Sequence, residues 1–142
     1  MNNPIYADPI MALARDATGS GQLEHPRARV QLDNPLCGDR VIIEVTWDDS
    51  GTLTELAHEV QGCALCRATA SLIGRDTPGK QLTEIAIAQT ELERLLKEGE
   101  EPTHHHWRGL SVFKPVHGHK SRYECVLLPF KALTQALGAC RT

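Results

Sequence analysis

The feature that most limits how this chain can fold is a change of residue pattern at Gly62-Cys63. From residue 28 to residue 61 the sequence reads as strands, and beyond it as helices. Residues 28–32 alternate polar and apolar side chains, as a half-buried strand does. Residues 40–47 carry the β-branched Val41, Ile42, Ile43, Val45 and Thr46, and Asp48-Asp49-Ser50-Gly51 then signals a hairpin turn. Residues 52–61 return as a third strand, so short connections predict a small antiparallel meander.

After the switch, residues 63–73 predict a short helix, broken by Asp76-Thr77-Pro78-Gly79. Leu82, Ile85, Leu92, Leu95 and Leu96 recur at helical spacing over residues 81–97, with Glu91, Glu93, Arg94 and Lys97 on the wet side. Residues 98–102 read as a linker, residues 110–116 as one irregular turn, and a last helix runs from about 126 to 137, closed by Gly138. Ahead of the strands, residues 8–15 form a helix with Asp8 as N-cap and Pro9 at its first position. Strands followed by helices predict an α+β fold, a three-stranded antiparallel sheet with helices packed on one face. The expected organisation is a single domain over 1–142, with a helix and linker in 1–27, the sheet in 28–62 and a helical part in 63–142.

Composition removes several function classes. A formal net charge of −3 without a Lys/Arg stripe argues against nucleic acid, whose binding needs clustered cations. No apolar run is long enough to span a bilayer, and Met1-Asn2-Asn3-Pro4-Ile5 does not resemble a secretory signal. The expected compartment is the cytoplasm, where five cysteines read as metal-binding or reactive.

Three of those cysteines sit where a shared metal site would put them. Cys37 lies in Asn34-Pro35-Leu36-Cys37-Gly38-Asp39, a turn in which Gly38 lets the backbone approach an ion closely. Cys63 stands at the strand-to-helix junction. Pro129 places a helix start near Cys125, because a proline ring clashes with the carbonyl four residues back. Helix N-termini favour negative charge, so thiolates suit both positions. Three thiolates need a fourth donor for a tetrahedral ion, and Asp39, two residues beyond Cys37, supplies a carboxylate.

Cys66 completes a C-x-x-C pair with Cys63. A thioredoxin-like site needs a preceding βαβ unit and a zinc ribbon needs a second C-x-x-C, so neither reading fits. Cys66 is held as a reserve ligand beside its other reading as a packing residue. Cys140, close to the end, reads as a terminal thiol. His104-His105-His106 reads as a solvated loop, since consecutive residues do not all face one ion, and His117 and His119 as an exposed turn around Gly118.

Cys-Gly-Asp-Arg after Asn-Pro, Gly-Cys at the end of the third strand and Arg122-x-x-Cys125 opening the last helix together resemble the IscU/SufU/NifU-N-terminal family of iron–sulfur cluster assembly proteins. Ala68-Thr69 and Leu128-Pro129-Phe130-Lys131-Ala132-Leu133 extend the resemblance, which covers residues 30 to 137. It is closer to the SufU branch, since Glu124 stands where IscU-like members carry a histidine and a long segment precedes the last helix. The resemblance implies metal ligation by Cys37, Asp39, Cys63 and Cys125, with Arg122 as the cation that assists.

Two roles follow from the resemblance. In one, the chain binds zinc and takes persulfide sulfur on Cys37 from a cysteine desulfurase, a zinc-dependent sulfurtransferase activity. In the other, it is a non-enzymatic scaffold on which the same ligands hold iron or a transient [2Fe–2S] cluster for transfer. The implied partners are the desulfurase, recipient apo-proteins and other iron–sulfur assembly factors.

Overall fold

The computed structural model describes residues 7–36 and 38–138. Strands β1 (Ala28–Asn34), β2 (Asp39–Trp47) and β3 (Leu53–Gln61) form one antiparallel sheet in the order β1-β2-β3. The hairpin between β2 and β3 is closed by Asp48, whose Oδ1 accepts from the N–H groups of Ser50 and Thr52, each at 3.0 Å. Helices α1 (Asp8–Asp16), α2 (Ala64–Asp76), α3 (Leu82–Glu98) and α4 (Tyr123–Gly138) account for the rest, with 3₁₀ turns at His105–Val116 and Lys120–Arg122.

Strand alternation decides which face is covered. Val41, Ile43 and Val45 are fully buried, and the register sets Leu32, Val30, Val60, His58 and Leu56 beside them. This face carries α2 against β3 and α4 across β1 and β2. α1 buries Ile10, Leu13 and Ala14 and packs on α2, while α3 packs on α4 and the 3₁₀ segment. One continuous apolar cluster joins these elements, the α+β arrangement expected from the order of patterns.

Local details differ from the expectations. α1 is capped by Ala7 without a side-chain hydrogen bond, and Asp8 lies in its first turn instead of at the cap. α2 continues beyond residue 73 to Asp76, and α4 begins at Tyr123, three residues ahead of the expected start. α4 runs through Pro129, so Cys125 lies in its first turn and its carbonyl receives no N–H from that residue. Residues 105–116 are 3₁₀ turns instead of a loop and one irregular turn. Trp107, Leu110, Phe113 and Val116, all fully buried, recur every third residue as three residues per turn requires. Glu91, assigned to the wet side of α3, is buried at 4% exposure. Its Oε1 accepts from Thr103 N, Thr103 Oγ1 and His104 N.

Candidate metal centre

Asp39 opens β2 on the helix-covered face, where it pairs with Asn34, and is 2% exposed. A carboxylate buried to this degree needs partners. One is the N–H of Cys63, which donates to Asp39 Oδ1 at 3.0 Å. Cys63 is the N-cap of α2, in extended backbone with φ −71° and ψ 167°. Its Sγ stands 4.0 Å from Asp39 Oδ2. Cys125 arrives from the first turn of α4 and is fully buried. Asp39, Cys63 and Cys125 thus bring two sulfurs and a carboxylate oxygen within 4.8 Å of one another.

Gly62 makes this approach possible. A Cβ at that position would lie 2.4 Å from Asp39 Oδ1, 2.9 Å from its Cγ and 3.1 Å from its Cβ. Any side chain there would displace the carboxylate from the Cys63 N–H and from the two sulfurs. This requirement escaped the sequence reading, although a glycine directly before a candidate ligand was the signal for it.

Cys37 lies outside the described residues, as does Cys140. The flanks of Cys37 are ordered by Asn34, whose Oδ1 accepts from Leu36 N at 3.2 Å and whose carbonyl accepts from Gly38 N at 2.8 Å. Gly38 has φ +73°, the left-handed region that favours glycine. Beyond it, Arg40 Nε donates to Asp33 Oδ1 at 2.8 Å across the β1–β2 pair, and this holds the Asp33 carboxyl below its usual range. A hollow of about 300 Å³, lined by Asn34, Gly38, Asp39, Arg40 and Gln61, leads from solvent to Asp39.

The other candidates divide. Cys66 is fully buried in the apolar core and is not one of the three converging ligands. Arg122 ends the 3₁₀ turn that leads into α4, half-buried and three residues before Cys125. His117 Nδ1 meets the Leu96 carbonyl at 2.8 Å, at the end of α3, and His119 is exposed. Glu124 points away from a ligand role, since Lys131 Nζ donates to its Oε2 at 2.7 Å.

Donor chemistry suits a soft or borderline ion. Two thiolates and one oxygen match zinc or iron better than magnesium or calcium. On a tetrahedral zinc, oxygen and sulfur ligands stand about 3.6 Å apart, so the 4.0 Å between Asp39 Oδ2 and Cys63 Sγ needs to close by a few tenths of an ångström.

Several known proteins are similar to this chain along most of its length. A family model described as NifU-like N terminal domain matches residues 5–126. The chain is 24% identical over 133 residues to an iron–sulfur cluster assembly scaffold protein IscU from Thermotoga maritima, covering 94% of this chain and 92% of that one. It is 28% identical over 135 residues to the zinc-dependent sulfurtransferase SufU of Bacillus subtilis, covering 94% and 89%. Among solved structures, a nitrogen-fixing NifU-like protein (N-terminal) from Brucella abortus is similar with a TM-score of 0.89 and 31% identity, over 96% of this chain and 94% of that one.

Proposed function

Because the chain belongs to the NifU-like N-terminal domain family, we propose that it serves iron–sulfur cluster assembly by accepting persulfide sulfur from a cysteine desulfurase at a zinc centre. The proposed ligands are Cys37, Asp39, Cys63 and Cys125. The observation that carries this reading is the buried convergence of Asp39, Cys63 and Cys125 within 4.8 Å. Three segments far apart in sequence meet there, and Asp39 also lines an open hollow.

Each residue has a part. Cys63 and Cys125, set at the starts of α2 and α4, form the rigid side of the centre. Asp39 is the oxygen donor and the ligand most easily exchanged, oriented by the Cys63 N–H. Zinc, when bound, keeps its thiol ligands deprotonated at neutral pH. Cys37, next to Gly38 in the sequence, is the acceptor: its thiolate attacks the outer sulfur of the desulfurase persulfide. A new S–S bond forms on Cys37 as the old one breaks, and the desulfurase cysteine leaves as thiolate without net oxidation. Arg122 pairs with Asp39 or with the developing thiolate as the site opens. Recipient apo-proteins and other assembly factors then take the sulfur onward. The reduced thiols this chemistry needs place it in the cytoplasm.

Incubation with a cognate desulfurase and cysteine tests this directly. The Cys37 peptide gains about 32 mass units, one sulfur. Added sulfur on Cys63 or Cys66 instead, with Cys37→Ser still stimulating the desulfurase, overturns the assignment. The scaffold reading has support in the name of the Thermotoga relative. It requires the protein purified without added metal to carry iron and sulfide charge-transfer bands, whereas sulfur transfer requires zinc and no colour.

A further inference from the structure

We propose that a hollow between α1, β3 and α2 binds inorganic phosphate, as the hydrogen phosphate dianion, through Arg15, Arg67 and His58. The hollow has a volume of about 270 Å³, and none of Asp39, Cys63 and Cys125 lines it. Ligand pockets commonly begin near about 300 Å³, so its occupant is small. Arg15 comes from the last turn of α1, and Arg67 from the first turn of α2, where its N–H donates to the Cys63 carbonyl. Among the described residues no ion pair engages either guanidinium, and no carboxylate lines the hollow. Two uncompensated cations facing one small space call for an anion.

His58 decides which anion. It lines the hollow, is 4% exposed, and its buried Nδ1 has no partner among the described residues. A buried polar atom left unpaired is costly, so this one points to a missing partner. Its Nε2 lies 2.8 Å from the Thr18 carbonyl. A carbonyl can only accept, so Nε2 carries the proton and, in the neutral ring, Nδ1 offers a lone pair. Burial, opposed by the Thr18 bond, holds this histidine below its usual range and keeps the ring neutral. The ligand therefore has to bring a hydrogen-bond donor together with its negative charge. Hydrogen phosphate has both, an O–H for Nδ1 and three further oxygens for the two guanidiniums.

The fold fixes the ring in this orientation. The turn at Thr18-Gly19 is stitched to β3 on both sides of His58: His58 N–H donates to the Gly19 carbonyl at 3.0 Å, and Gly21 N–H to the His58 carbonyl at 2.9 Å. Gly74 on α2 lets this turn press close, since a Cβ there would run into the Thr18 carbonyl. A Cβ on Gly19 would lie 3.4 Å from His58 Cδ2 and 3.5 Å from its Nε2, so that edge of the imidazole faces the turn. Nδ1 belongs to the other edge and is the polar atom His58 has left for a ligand. Ser20, at the end of the turn, lines the same hollow and adds a hydroxyl donor.

Nitrogen-15 NMR titration of the full chain, at slightly alkaline pH in phosphate-free buffer, tests the proposal. Inorganic phosphate should shift the His58 Nδ1 resonance and the Ser20 amide signal saturably. Sulfate and methyl phosphate are controls, because sulfate has no proton and a monoester, with a second pKa of about 6, has lost its own. Each should bind about 10-fold or more weakly, since it leaves Nδ1 unpaired. Arg15→Gln/Arg67→Gln, two exposed positions, should lose phosphate binding. His58→Phe, which keeps a packed ring, should lower phosphate affinity to that of sulfate. Stripping the metal should leave the affinity unchanged, which separates this site from an anion on the thiolate centre. No saturable shift with phosphate, binding that survives Arg15→Gln/Arg67→Gln, or binding that disappears with the metal overturns the proposal. Sulfate or methyl phosphate binding as tightly as phosphate overturns the acceptor role of His58.

Discussion

Replacing Gly62 with alanine puts a methyl group where the Asp39 carboxylate stands. The new Cβ would sit 2.4 Å from Oδ1 and 2.9 Å from Cγ, both far inside contact distance. Because Asp39 Cβ is also only 3.1 Å away, swinging the carboxylate tip aside does not relieve the clash. The whole side chain, or the β3–α2 junction, has to move. Overpacking of this kind costs about 1–3 kcal/mol. Losing the hydrogen bond from Cys63 N–H to a buried carboxylate costs a further 1.5–3 kcal/mol or so. Even the low end of the two together, about 2.5 kcal/mol, is a large share of a small domain's stability. In urea, with slopes of about 1–3 kcal/mol/M, it lowers the unfolding midpoint of the metal-free protein by about 1–3 M. Metal affinity, measured by competition with a chromophoric chelator, falls by about 10–100-fold because the carboxylate loses its orientation. A Gly62→Ala protein with the wild-type midpoint and wild-type affinity would show that Asp39 is not held as argued, and would refute the centre built on it.

Further outcomes follow from the same contacts. Cys37→Ser, Cys63→Ser and Cys125→Ser each lower metal occupancy sharply, since a serine hydroxyl is a poor zinc donor, while Cys140→Ser leaves it unchanged; metal analysis of the purified variants reads this. Asp39→Ala keeps bound cargo or holds it longer, and slows turnover with a desulfurase, because it removes the exchangeable oxygen ligand; loss of folding with unchanged cargo release would return Asp39 to a turn role. His58 is 4% exposed, its Nε2 meets the Thr18 carbonyl at 2.8 Å, and its Nδ1 has no partner among the described residues. Burial, partly offset by the Thr18 bond, lowers its pKa from 6.5, so the unfolded chain binds the proton more readily. Its contribution to stability is present above about pH 6.5 and is lost as pH falls from there through the lower native value. Denaturation midpoints measured across this range should lose that component in His58→Gln.

Local periodicity carried most of the fold. Val41, Ile43 and Val45 alternate because successive strand residues face opposite sides, and all three are buried against helices as that alternation requires. Cys63 at a helix start was legible because the pattern changes period there. The 3₁₀ segment was legible too, in Trp107, Leu110, Phe113 and Val116, but only to a reading that tests a period of three beside 2 and 3.6. Tertiary structure decided what periodicity cannot encode. Glu91 looks like a wet-side residue because helical spacing sees only its own helix, and its partners lie 12 and 13 residues further on, at Thr103 and His104. Gly62 reads as a plain junction residue until Asp39, 24 positions from Cys63, is seen to occupy the space of its missing side chain. Composition and spacing named Asp39, Cys63 and Cys125 as ligands, yet their convergence depends on α2 and α4 packing on the same sheet face. Backbone geometry sets local pattern residue by residue, whereas the meeting of distant side chains is set by how whole elements bury their apolar faces together.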